Sequence, residues 1–141
     1  MSLSHHSLVA WQRADDLFLT VHRLSLEAFP AVERFELGSQ LRRSAFSVAV
    51  NIAEGFARPA GRARVNFLSI SQASLAEVDY CIHVAKRLGY ISEELAATLE
   101  VAMKQVGAPL SGLIRSERKR AFTQTTVMVL LIAFLMVRLV A

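Results

Sequence analysis

Apolar side chains recur at steps of three and four along most of this chain, and the pattern is clearest between Leu37 and Arg58. Leu37, Leu41, Ala45, Val48, Ile52 and Phe56 fall on one apolar stripe of a helix, and Phe46, Val50, Ala53 and Ala57 fall on a second. Arg43, Ser47, Asn51, Glu54 and Arg58 form a third stripe, which is polar. One apolar stripe is enough to dock a helix on its own core, so the second needs another surface to cover it. The spacing predicts a central helix from about Phe35 to Ala57, on the order of 34 Å long at ~1.5 Å per residue. It also predicts that this helix belongs to a bundle that binds something further, most simply copies of itself.

The other elements follow from caps and breaks. Ser7 is the expected N-cap of a first helix running to about Ala28, with Ala14, Leu17, Phe18, Val21, Leu24 and Ala28 buried and Trp11 packing at its start. Phe29-Pro30 ends it, because the residue before proline is pushed out of the helical region. Arg58-Pro59-Ala60-Gly61-Arg62 is the clearest break in the chain. A third helix is expected from there to about Leu88, burying Val65, Leu68, Leu75, Val78, Ile82 and Ala85. Lys86 and Arg87 suit its last turn, and Gly89 suits the left-handed position after it. Ser92 should cap a fourth helix with Glu93 and Glu94 in its first turn, burying Leu95, Leu99, Ala102, Val106, Leu110 and Leu113. Gly107 and Pro109 should bend or divide that helix. No strand-like alternation and no internal repeat is present. The reading is all-α: an up-down-up-down four-helix bundle over residues 1–120, then an additional hydrophobic C-terminal helix over residues 121–141.

That tail changes the picture more than any other segment. Arg115, Arg118, Lys119 and Arg120 precede it, and Val127 to Val137 is an unbroken apolar run. Eleven residues are too few to span a bilayer, but Ala121 to Ala141 as a helix reaches ~31 Å, about one hydrocarbon thickness. Thr123, Gln124, Thr125 and Thr126 weaken its near end, and Arg138 would have to reach the far interface. Two readings stand: a membrane anchor with its basic flank inside, or a fifth helix packed in the assembly or against the second apolar stripe.

Composition sets outer bounds. The chain has 141 residues, one domain's length, and is 53% hydrophobic with a mean hydropathy of +0.37, an excess that the tail partly explains. A net charge of +4 and a pI near 9.8 lean mildly toward anionic partners. Cys81 is the sole cysteine, so no internal disulfide forms and a reducing compartment fits. The first ten residues lack a basic segment followed by an apolar core, so a cytoplasmic location is expected.

Candidate chemistry is sparse. No Glu stands three residues before a His, as a di-metal bundle site requires. Asp79 and His83 lie one turn apart, but a single such pair is more simply a surface hydrogen bond than a metal site. His5-His6 reads as a solvated terminal pair, His22 as a surface residue, and Cys81 as a small buried hydrophobe. There is no Gly-rich phosphate loop, nucleophile elbow or paired-cysteine motif. The expectation is a non-catalytic protein with no cofactor, no metal and no small-molecule substrate. Asn51 and Glu54 could meet a partner or a nucleotide edge. More simply, they are a structural polar motif satisfying backbone groups or arginines, for example Glu54 with Arg58 at i, i+4. Arg42, Arg43, Arg58, Arg62 and Arg64 gather around the ends of the central helix and the loop after it. Repeated around a ring, they would line a groove able to hold a phosphate backbone. With only Phe56 and Phe67 nearby, base stacking is not expected to contribute.

Gln40-Leu41-Arg42-Arg43 followed by Asn51-Ile52-Ala53-Glu54-Gly55 resembles the signature of the four-helix-bundle proteins of 23S rRNA intervening sequences, to which the accessory protein of diversity-generating retroelements is related. Further matches are Trp11-Gln12 with Ala14, Phe29-Pro30, Glu33-Arg34-Phe35, Ser74-Leu75-Ala76-Glu77, and Ala85-Lys86 through Leu88-Gly89-Tyr90. The resemblance covers about Ser7 to Arg118. This chain departs from it at Ala49, where the family usually has a proline, and the residues after Arg118 have no counterpart. The resemblance implies a ring-shaped homo-oligomer, a pentamer, with RNA or DNA as the partner class. The second apolar stripe, Phe46, Val50, Ala53 and Ala57, is the expected subunit interface, because an exposed apolar row is unfavourable. The alternative is a tail-anchored membrane protein whose bundle is a cytoplasmic assembly platform.

Overall fold

The computed structural model describes residues 4–140, which form four α-helices and, among the described residues, no strand. They are α1 (Val9–Glu27), α2 (Leu37–Ala57), α3 (Arg62–Arg87) and α4 (Glu93–Val140). Short 3₁₀ turns, Ser4–Ser7 and Ala31–Arg34, precede α1 and α2. Consecutive helices pack on one another and α4 also packs on α1, an arrangement consistent with a helical bundle. The shared core is aliphatic: Leu17 and Val21 from α1, Leu41, Val48 and Ile52 from α2, Leu68 and Val78 from α3, Leu99, Val106 and Leu110 from α4. Each such side chain contributes about 1.5–3 kcal/mol on burial, which is what holds the four apolar stripes together.

The first helix departs from expectation at both ends. Its N-cap is Leu8, without a side-chain cap bond, and Ser7 belongs to the preceding turn. His6 is exposed and His5 half-buried, but neither hangs free: their rings lie 4.8 and 5.0 Å from that of Trp11, and Gln12 Nε2 donates to the His6 carbonyl. Burial, and then the neighbouring His6, pull His5 below the ordinary imidazole value. At the C-terminal end Ala28 is exposed, and Ser25 takes the buried position in its place. Its hydroxyl donates to the His22 carbonyl at 3.0 Å and accepts from Arg42 Nη1 at 2.8 Å, so burial leaves it no unmet bond.

Between α3 and α4 the local chemistry follows the sequence closely. Gly89 has φ +75°, and the Tyr90 and Gly89 amides donate to the Ala85 and Lys86 carbonyls, satisfying the open end of α3. Ser92 Oγ accepts the Leu95 amide at 3.1 Å, and Lys86 Nζ meets Glu93 Oε2 at 2.6 Å.

The fourth helix is where the fold differs most from expectation. It is one element of 48 residues, divided neither at Gly107 nor at Pro109. Proline in a helix interior removes a backbone bond and costs about 3 kcal/mol. Here Met103, Val106, Leu110 and Ile114 are all buried, and seating them in the core on both sides of Pro109 offsets that cost. The hydrophobic tail is therefore no additional helix but the uninterrupted end of α4. Nor does its apolar run, from Val127 on, pack against the rest of the chain: residues 122–138 are all exposed, and only the root near Gln124 approaches the turn before α3.

Candidate functional site

At the end of the bundle where α1 turns into α2 and α3 into α4, the side chains form two adjoining groups of hydrogen bonds. Glu33 is the hub of one: Oε2 accepts the first amide of α2, from Leu37, at 3.2 Å, and Oε1 accepts the Tyr90 hydroxyl at 3.0 Å. That bond to a carboxylate, followed by burial and the negative charge itself, raises the Tyr90 phenol above its ordinary value. The Phe29 ring is buried 5.6 Å from that of Tyr90. Arg42 makes the adjoining group, with Nη1 on Ser25 Oγ at 2.8 Å and Nη2 on the Arg34 carbonyl at 2.7 Å.

A second set joins α2 to α3. Gln40 Nε2 donates to Glu77 Oε1. Ser47 and Ser74 share a hydrogen bond of 2.8 Å, and Asn51 Nδ2 donates to the Ser47 carbonyl and hydroxyl at 2.8 and 2.9 Å. Ser71 Oγ donates to the Val48 carbonyl at 2.7 Å. Gly55 marks a close approach, since a Cβ there would lie 3.2 Å from Phe67 Cβ. Asn51 is thus turned inward, to its own helix. Glu54 is exposed and forms no ion pair with Arg58, contrary to the expected i, i+4 contact; the Arg58 guanidinium instead lies 5.1 Å from the Phe67 ring centre.

The third set surrounds the turn between α2 and α3. Arg64 is almost enclosed there, with Nε on the Gly55 carbonyl at 3.2 Å, Nη2 on the Arg58 carbonyl at 2.8 Å and Nη1 on Glu117 Oε1 at 3.2 Å. Its guanidinium also lies 4.5 Å from the Phe56 ring centre. Glu117 is 3% exposed, takes a second bond from Arg120 Nη1 at 3.1 Å, and leaves Oε2 buried without a partner. Glu117 was not singled out from the sequence, yet it continues the α4 stripe of Leu110 and Ile114 at the next step of three. That phase, in a run otherwise basic from Arg115 to Arg120, was the available signal.

The five arginines expected to form a phosphate groove are accordingly divided. Arg42 and Arg64 hold the fold, with their donors committed to protein acceptors. Arg43, Arg58 and Arg62 are exposed. Arg43 stands fifteen residues before Arg58, which caps the other end of α2 ~22 Å away, so the set does not make one patch within a single chain. What the turn does bring together is Arg58 and Arg62 with the root of the tail: a Cβ at Gly61 would lie 3.3 Å from Gln124 Oε1. On the second apolar stripe Phe46 is 54% exposed, with its ring edge against Phe18 at 5.6 Å. Val50 and Ala53 are half-buried and Ala57 is exposed.

Elsewhere, a cleft of about 380 Å³ between α3 and α4 is lined by Asp79, Tyr80, His83, Lys86, Glu93 and Glu100, among others. Its charges are largely matched internally, by Lys86 with Glu93 and by Glu100 with Lys104 at 2.7 Å. Among the described residues no three His, Cys, Asp or Glu side chains converge as metal ligands. Cys81 is buried, and burial followed by the Glu77 charge pushes its thiol up, away from the reactive thiolate.

Among curated proteins, none matches the chain. The side chains that join the helices at the far end and along the α2–α3 seam are largely the residues that carry the sequence resemblance. A model of the family described as 23S rRNA-intervening sequence protein matches residues 6–112, which take in α1, α2, α3 and the first part of α4, and the chain belongs to that family.

Proposed function

We propose that this chain is a non-catalytic helical module, an up-down-up-down bundle, tethered to a membrane by the end of α4. The observation that carries the reading is the bare tail. Helix α4 is long and apolar enough to cross a bilayer by length and composition, and its apolar segment touches no other part of the chain. Residues Val127 to Val137 are apolar all round, with no polar face left for water. A helix of that kind is stable only when covered on every side, and lipid is the cover that requires no matching surface. The threonines at its near end are less costly in lipid than their type suggests. Thr123, Thr125 and Thr126 each donate their hydroxyl to a carbonyl four residues back, at 3.0 Å, so none is an orphan donor. Basic residues just before the segment support a cytoplasmic side for the bundle.

The exposed Phe46, with Val50, Ala53 and Ala57 beside it, supports self-association as part of the same reading, the membrane then holding a ring of bundles in one plane. A second reading, supported by the exposed Arg43, Arg58 and Arg62, is that the assembled ring holds RNA or DNA by its phosphates. Extraction separates these. The anchored protein should stay in the membrane pellet through a high-salt wash and come off only with detergent. Full release by salt alone would overturn the anchor.

A further inference from the structure

We infer that the α2–α3 turn and the root of the tail form one basic collar that binds anionic lipid headgroups and gives the tethered protein a preference for anionic leaflets. This rests on the anchor reading and adds a partner to it. Four exposed cations, Arg115, Arg118, Lys119 and Arg120, occupy the last turns of α4 before Ala121, where the apolar segment begins. Two more, Arg58 and Arg62, come from a segment about sixty residues away in sequence, and the fold alone brings them there. The Arg64–Glu117 bond and the approach of Gly61 to Gln124 fix that turn beside residues 117–124. The acidic groups at this level are few. Glu117 is buried and already held by Arg64 and Arg120, and Glu54 stands one turn back on α2.

The geometry favours headgroups over a nucleic acid. A helix that enters the bilayer at Ala121 brings the preceding two turns of α4, and the turn packed beside them, to headgroup level. There an anionic surface lies within a Debye length, ~8 Å at physiological salt. A duplex or single strand would need cations along a track, and Arg43 lies too far along α2 to extend this one. Clusters of four to eight Lys or Arg beside a membrane segment select anionic lipids, each contributing about fivefold in affinity.

The test uses the full chain reconstituted in vesicles with spin-labelled phosphatidylglycerol or spin-labelled phosphatidylcholine. The fraction of each lipid immobilised by the protein is compared at low and high salt. The expected result is a several-fold preference for phosphatidylglycerol that falls toward one at high salt. It should also fall toward one in the Arg62→Gln, Arg118→Gln, Lys119→Gln variant, whose replaced side chains are exposed. Inorganic phosphate at the same ionic strength as chloride should compete no better than chloride, because the collar reads a surface of charge. Equal association of the two lipids with the wild-type chain would overturn the inference, as would a preference unchanged in the variant. If the vesicle-bound chain showed no lipid preference yet retained added single-stranded RNA, the collar would belong to that partner and the inference would fail. Failure of the anchor looks different: phosphatidylcholine would not be immobilised at any salt, and neither lipid would be at high salt.

Discussion

Arg64 on α3 and Glu117 on α4 form an ion pair of 3.2 Å whose side chains are only 13% and 3% exposed, and it locks the last helix to the α2–α3 turn just below the tail. Three more bonds or contacts of the same guanidinium, to Gly55, Arg58 and Phe56, set its orientation. Removing one partner of an enclosed pair leaves the other charged and unmet, which costs about 3 kcal/mol. Arg64→Ala should therefore lower the melting temperature markedly in detergent, with Arg120 softening the loss at Glu117. Replacing both residues, Arg64→Met with Glu117→Leu, should restore most of it. A double variant no more stable than Arg64→Ala would show that the pair is not what fastens α4 there.

The exposed stripe on α2 gives a second prediction. Phe46→Glu with Val50→Glu should leave helix content unchanged and reduce the mass of the particle in detergent. Phe46 is exposed and Val50, one turn on, half-buried beside it, which makes them contacts between chains in the proposed assembly. Light scattering on both proteins checks this. An unchanged mass would assign the stripe to the surface of a monomer or to another partner.

Close approach at Gly55 gives a third. A Cβ there would sit 3.2 Å from Phe67 Cβ and 3.4 Å from the Arg64 carbonyl, so Gly55→Val must push α2 and α3 apart. The expected loss is about 1–3 kcal/mol. Equilibrium unfolding should show it, together with increased hydrogen exchange at Ser47 and Ser71, whose bonds cross or support the same seam.

Tyr90 supplies the pH dependence. Its phenol is raised above the ordinary value of 10.0, first by the hydrogen bond to Glu33. The folded state thus keeps its proton where the unfolded state has lost it. The resulting stability is fully present below pH 10 and disappears as pH rises through the higher folded value. Tyr90→Phe should flatten that alkaline decline and leave the curve at neutral pH lowered but parallel. A wild-type curve flat through the same alkaline range would contradict the Glu33 contact.

The apolar framework was legible in the sequence because it needs only periodicity. Leu41, Ala45, Val48 and Ile52 are buried as their spacing requires, and Gly89 and Ser92 end one helix and begin the next by local chemistry alone. Ser25, Ser71 and Ser74 escaped because a hydroxyl can be buried once it finds an acceptor, and that acceptor lies on the same or another helix where spacing does not reveal it. Arg42 and Arg64 read as free cations for the same reason: their partners Ser25, Arg34, Gly55 and Glu117 lie outside their own helical turns, across a chain reversal or on another helix, where spacing does not reveal them. Pro109 suggested a break because local propensity argues for one, while the core residues on both sides of it decide otherwise. The tail's composition left open an anchor or a packed fifth helix, and only its lack of contacts within the chain separates those two for a single copy.

The most direct measurement of the central claim is flotation of two chains, the full one and one ending at Arg120, with neutral phosphatidylcholine vesicles in high salt. Neutral lipid and high salt silence the basic collar, so only the apolar end of α4 can carry protein upward. The account predicts that the full chain floats and that the shortened chain stays at the bottom with its helical melting transition retained, since among the described residues every buried core side chain lies before Arg120. A full chain that remains soluble and unattached without detergent would contradict it, as would a shortened chain whose bundle melts much earlier because the tail had been packed against protein.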